Sequence, residues 1–117
     1  VAHIPDWPGV PFGDEEGEFI QAALGMDNWG LLAAHHGMMV GERTIEEAAY
    51  RAVFFEIAAE MQIKAMSAMN GDLAALPQVD RITAERAREW RISPGPVKAH
   101  FNSWARQALR KHGDMFQ

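Results

Sequence analysis

Apolar and polar positions alternate along this chain in short blocks, and most blocks end at a Gly, a Pro or a helix-capping residue. The first block, Val1-Ala2-His3-Ile4, is an apolar extended run and predicts a strand. Pro5, Pro8 and Pro11 follow, with Gly9 and Gly13 among them. Pro fixes its own φ and turns its predecessor away from helix, so residues 7–13 are expected to be a loop. Asp14 then opens a helix. Asp14, Glu15, Glu16 and Glu18 put negative charge at the positive end of the helix dipole. Phe19, Ile20, Ala22, Ala23 and Leu24 supply its apolar face, and Gly25 is the expected stop.

Two short apolar runs come next, Trp29–Ala34 and Met38–Val40, with His35-His36-Gly37 between them and Gly41 after. Their length and Gly punctuation predict neighbouring strands of one buried sheet, joined tightly or by a bulge. Thr44-Ile45-Glu46-Glu47 reads as a capping box, in which a Thr hydroxyl meets the first free backbone N–H groups. It opens a helix expected to run from about Ile45 to Met69. One stripe is Ala48, Ala52, Phe55, Ala59 and Gln62/Ile63; a second is Ala49, Val53, Ile57, Met61 and Met66. Two apolar faces predict a helix buried between the sheet and another element, or against another subunit. Asn70-Gly71 suits its C-terminal end. After a linker over Asp72–Val79, Asp80 or Thr83 begins a helix towards Trp90. Ser93-Pro94-Gly95-Pro96 breaks the chain, and Val97 to about Lys111 forms the last helix.

The order is strand, helix, strand, strand, long helix, helix, helix, an α/β pattern. The sequence has 117 residues, 48% of them hydrophobic and 23% charged, which is ordinary globular composition for one modest core. No apolar run is long enough for a membrane span. There is no Cys, which rules out disulfides and thiolate metal sites and fits a cytoplasmic location. The net charge of −5 is unevenly spread. Residues 1–80 carry 3 basic and 13 acidic side chains, whereas residues 81–117 carry 8 basic and 3 acidic. A basic tail of this kind is expected to dock on an acidic body, its own or a neighbour's. No nucleic-acid partner is expected, because no dense basic stripe or reading motif accompanies the charge.

The five His are His3, His35, His36, His100 and His112. His35 and His36 stand at the expected end of an apolar strand, where adjacent side chains point to opposite faces. Spacing alone leaves three readings open: a His bonded to a carbonyl or carboxylate, a His exposed at the strand end, or a metal ligand. Glu56 and Glu60, four apart on the long helix, are expected to form structural ion pairs with Arg51 or Lys64. Met38, Met39, Met61, Met66 and Met69 are read as core fillers, and Trp29, Trp90 and Trp104 as packing residues, one of which from the tail could line an aromatic pocket.

The stretch Leu31-Leu32-Ala33-Ala34-His35-His36-Gly37-Met38-Met39-Val40-Gly41 carries a resemblance when taken with Thr44-Ile45-Glu46-Glu47-Ala48 and Glu56-Ile57-Ala58-Ala59-Glu60. It resembles the class II aldolase/adducin family: apolar strand, Asn-His-Gly, second apolar strand, Gly, then a Glu-Glu-Ala helix start and Glu-x-x-Ala-Glu. The likeness covers residues 1–69 and reaches the tail only loosely. It implies that residues 1–117 are the C-terminal portion of a single three-layer αβα domain with a central mixed or antiparallel sheet. It also implies that His36 is one imidazole ligand of a divalent metal, zinc first, with manganese, cobalt, magnesium and iron as alternatives. The family's other two ligands form a His-x-His pair, which this sequence lacks, and its acid/base Glu sits in the same upstream half; no catalytic residue is therefore assigned here. His35 stands where the family has Asn and is assigned a supporting role beside the metal. His100 and Trp104, near Arg106, are candidates for substrate binding from the tail of a neighbouring subunit in a ring-like homo-oligomer.

The activity implied is metal-dependent C–C bond cleavage of a small hydroxy-carbonyl or hydroxy-acid substrate, by aldol cleavage or decarboxylation. Tyr50 is the only Tyr, and the lack of one near the terminus favours a decarboxylase or aromatic-acid branch over sugar phosphates. The alternatives are a non-catalytic adducin-like interaction module and an iron-dependent oxygenase-like member of the same family.

Overall fold

A computed structural model describes residues 1–6, 9 and 13–113. Most of the loop expected over residues 7–13 lies outside the described residues. The chain divides into two compact units, Val1–Ala48 and Ala49–Gln117.

The first unit holds strands β1 (Ala2–Ile4), β2 (Gly30–Ala33) and β3 (Gly37–Val40), and helix α1 (Glu15–Leu24). The sheet order is β1-β2-β3, with β1 parallel to β2 and β3 antiparallel to it. A parallel pair needs a crossover connection, and α1 supplies it. The expected α/β class with a mixed sheet is what forms. Ala2 pairs with Leu31 and Ile4 with Ala33, while Leu31 pairs with Met39 across the hairpin. Paired residues share a face, so the period-2 alternation sends Ala2, Ile4, Leu31, Ala33 and Met39 to one side. Ile4, Leu31 and Ala33 are buried there, with Ile20, Ala23 and Leu24 of α1 packed against them. The alternate positions His3, Leu32 and Met38 face the other way, and Leu32 is 41% exposed.

Helix α1 stops at Gly25, whose φ of +60° lets its N–H donate to the Gln21 carbonyl at 3.0 Å. Asp14 makes no side-chain cap bond. Its contribution to the start of α1 is therefore charge rather than hydrogen bonding.

Helix α2 (Ile45–Ala68) begins in the first unit and continues through the second. The Thr44 hydroxyl accepts the Glu47 N–H at 3.2 Å and donates to the Glu47 carboxylate at 3.1 Å. This differs from the usual capping box in that the carboxylate meets the hydroxyl. At the other end Gly71 N–H reaches Met66 O at 2.9 Å and Asn70 N–H reaches Ser67 O at 3.4 Å. That pair of bonds is a Schellman motif, and it needs the positive φ of Asn70 (51°) and Gly71 (83°). Lys64 pairs with Glu60, as expected.

The burial of α2 departs from expectation. Only Tyr50 is buried along it, while Val53, Ile57 and Met61 of the second stripe are 38%, 41% and 65% exposed. The packed face centres on Tyr50 and Phe54, which belong to neither stripe. An aromatic ring covers far more apolar area than Ala, so these two decide which side of an Ala-rich helix is buried.

A short 3-10 turn (Leu73–Ala75) precedes α3 (Arg81–Arg91) and α4 (Pro94–His112). Asp80 caps α3, its Oδ1 accepting the Thr83 N–H at 2.9 Å. Helix α4 starts at Pro94 rather than Val97, so Ser93-Pro94-Gly95-Pro96 builds the first turn instead of breaking the chain before it. The first N–H groups of a helix have no intrahelical acceptor, so Pro loses nothing there. No helix among the described residues is long and apolar enough to cross a membrane.

Candidate functional site

His35 and His36 lie in the turn between β2 and β3, not at the end of a strand. Ala33 pairs with Gly37, which leaves Ala34, His35 and His36 as a three-residue connection. His36 N–H donates to Ala33 O at 3.2 Å and closes the turn. Ala34 N–H donates to Ile4 O at 2.9 Å, extending the parallel β1–β2 pairing one residue into the connection. The turn is thereby held from both neighbouring strands. It sits at the carboxyl end of the parallel pair β1–β2, the end at which open α/β sheets present ligand-binding loops. Both imidazoles are exposed.

His35 has a φ of 59°, in the left-handed region. Gly adopts it freely, and Asn, Asp and His enter it several times more often than other residues. A backbone constraint therefore explains the residue type at position 35 without any contact made by its ring. Gly37 follows at φ 148°, which also favours Gly.

Among the described residues, no group of three or more His, Asp or Glu side chains is placed to hold a metal ion. His36 can offer one imidazole donor. A complete coordination set does not form from the described residues.

In the second unit, His100 and Trp104 are one turn apart on α4, with ring centroids 5.6 Å apart. Tyr50 and Phe54, one turn apart on α2 and 4.5 Å between centroids, pack against them. Tyr50 lies 5.5 Å from His100 edge-on and 6.2 Å from Trp104, and Phe54 meets His100 at 89°. The Arg91 guanidinium lies 4.9 Å from the Phe54 ring centre, within cation–π range. The two candidate tail residues are thus brought together, but as half of a four-ring helix junction. The packing role of Tyr50 and Phe54 is absent from the sequence reading, although two aromatic pairs at i,i+4 on separate helices were the available signal. Tyr50 is 3% exposed, and its hydroxyl has no hydrogen-bond partner among the described residues.

The family model of the class II aldolase and adducin N-terminal domain matches residues 1–63, more than half of the 117. The chain belongs to the class II aldolase/adducin family. No match to a curated protein was found. The match takes in the sheet, the histidine turn and the capped start of α2, and stops within α2. His100 and Trp104 lie beyond it. Membership in the class II aldolase/adducin family supports either a lyase or an adducin-like function.

Proposed function

We propose that this class II aldolase/adducin chain serves a divalent-metal-dependent lyase that cleaves a C–C bond in a small hydroxy-carbonyl or hydroxy-acid substrate. The observation that carries the reading is the histidine turn, held at the carboxyl end of a parallel strand pair inside the region of family match. The short connection fixes the position of the His36 backbone, and the exposed imidazole is open to an ion from solvent. His36 would hold the metal from this chain, zinc first, and the further donors would come from outside the described residues. A divalent cation supplies a Lewis acid for the negative charge that develops as a C–C bond beside a carbonyl breaks.

His35 serves the turn conformation, and through it the direction of His36. His100 and Trp104 act on substrate from the tail, with Tyr50 and Phe54 holding α4 in place behind them. The parent architecture is a three-layer αβα domain, in which a second helical layer covers His3, Leu32 and Met38, and the working form is a homo-oligomer in the cytoplasm.

Titration with Zn²⁺ by calorimetry of the metal-free intact protein, with the upstream donors present, beside a C–C cleavage assay on hydroxy-acids, tests this. His36→Ala is expected to weaken zinc binding at least tenfold and to abolish cleavage, while His35→Asn keeps both. Zinc affinity and cleavage unchanged in His36→Ala would overturn the assignment. Folded protein with neither zinc binding nor cleavage would leave the adducin-like interaction module as the better reading.

A further inference from the structure

Helix α2 ends on Asn70-Gly71, and that dipeptide carries chemistry of its own. An Asn side-chain carbonyl carbon can be attacked by the backbone nitrogen of the next residue, and Gly there offers no Cβ to hinder the approach. The chain has three Asn, and their settings differ. Asn28 precedes the bulky Trp29, and its Nδ2 donates to the Leu24 carbonyl at 3.1 Å. Asn102 lies within α4, where the N–H of Ser103 belongs to the helical ladder. Asn70 and Gly71 are both exposed, and among the described residues no hydrogen bond holds the Asn70 side chain. A Cβ at Gly71 would meet no atom within 4 Å, so the surroundings leave room for a ring to close there.

The helix cap holds this reaction back. Gly71 N–H donates to Met66 O at 2.9 Å, flanked by Asn70 N–H on Ser67 O at 3.4 Å and Asp72 N–H on Met69 O at 3.0 Å. The Gly71 nitrogen must leave Met66 O and lose its proton before it can attack, so the last turn of α2 has to open first. Helix ends open at far lower cost than whole domains unfold. An open hollow lined by Ile63, Met66, Ser67 and Gly71 admits water to the same turn.

We propose that Asn70 is a spontaneous deamidation site whose rate is set by opening of the α2 C-terminal cap. The Gly71 nitrogen bonds to Asn70 Cγ, the Cγ–Nδ2 bond breaks, and the amide leaves as ammonia, taking up the Gly71 proton. One water then opens the cyclic imide. Addition at Cγ gives aspartate, and addition at the main-chain carbonyl gives isoaspartate, in which the chain runs through Cβ and Cγ. Either product weakens the cap that slowed the reaction. A carboxylate enters at the negative end of the α2 dipole, where the last turn has no basic residue to offset it. Isoaspartate also lengthens the main chain by one carbon and takes Gly71 N–H out of register with Met66 O. The change runs one way and loosens the end of α2 ahead of the segment leading to α3.

Incubation of the full chain in warm, mildly alkaline buffer, followed by peptide mapping with mass spectrometry, tests this. Amide-to-acid conversion is expected at Asn70 ahead of Asn28 and Asn102, with isoaspartate among the products. Conversion at Asn70 is expected to be about tenfold faster or more in urea, where the cap is open. Asn70→Asp is expected to lower the thermal midpoint. First conversion at Asn28 or Asn102, or no conversion in the folded chain, overturns the site. Equal rates in buffer and urea overturn control by the cap, and an unchanged midpoint in Asn70→Asp overturns its weakening.

Discussion

Removing the Tyr50 hydroxyl should make this chain more stable. The ring is 3% exposed and packs within 6.2 Å of Phe54, His100 and Trp104, so nearly all its apolar area is buried. Its hydroxyl has no hydrogen-bond partner among the described residues, and a buried donor left unpaired costs about 1–3 kcal/mol. Tyr50→Phe keeps the ring contacts and removes the unpaired group. The lower end of that range, about 1 kcal/mol, is the expected gain, which corresponds to about 4 °C in melting midpoint for a chain of this size. Tyr50→Ala removes the ring as well and is expected to lose about 3–5 kcal/mol. Urea unfolding followed by far-ultraviolet circular dichroism measures both, with the denaturant slope checked for constancy. A Phe variant less stable than wild type by about 1 kcal/mol would refute the reasoning. It would mean that the hydroxyl makes a bond in solution, and that the junction is built around a polar group rather than despite one.

The left-handed backbone at His35 makes a prediction that does not involve metal: Gly there keeps the stability of wild type, whereas Val loses about 1–2 kcal/mol. Equal urea midpoints for the two variants would show that the turn relaxes freely. Asp80 gives the acid response of α3. The Thr83 hydroxyl, and then the Thr83 N–H, hold its carboxyl below the ordinary value of 3.8. A depressed value in the folded state means that the stabilisation is present above 3.8 and is lost as pH falls through the lower folded value. Helix content is therefore expected to fall below about pH 4 in wild type and to be flatter there in Asp80→Asn, which still caps but does not titrate. Identical acid limbs in dichroism titrations would remove Asp80 from the account.

Much of the architecture could be read from local chemistry. Thr44-Ile45-Glu46-Glu47 opened α2 and Asn70-Gly71 closed it, because caps act through backbone groups within a few residues. Gly25 ended α1 for the same reason. The start of α4 was misplaced because Pro was weighed as a breaker, when its missing N–H is harmless in a first turn. The packed face of α2 was misplaced because hydrophobic periodicity counts Ala and Tyr as equals, while burial follows area. The setting of His36 was not legible: a three-residue hairpin connection and a strand end share the same sequence of apolar run, His and Gly. Only the pairing of Ala33 with Gly37 separates them. The i,i+4 spacing marks an aromatic pair on each of α2 and α4, but not that these two helices meet.

The hairpin that carries His36 also has a kinetic meaning. Strands β2 and β3 are separated by three residues, so their pairing closes a very small loop and can form within about 1–10 μs. Pairing of β1 with β2 joins Ala2 to Leu31 and must wait for the intervening crossover to collapse, which is the slower, entropically dearer event. The hairpin can therefore form before β1 pairs with β2. The bond from His36 N–H to Ala33 O belongs to that first stage, and the bond from Ala34 N–H to Ile4 O belongs to the second. The turn that carries His36 is thus complete only once the crossover has brought β1 beside β2.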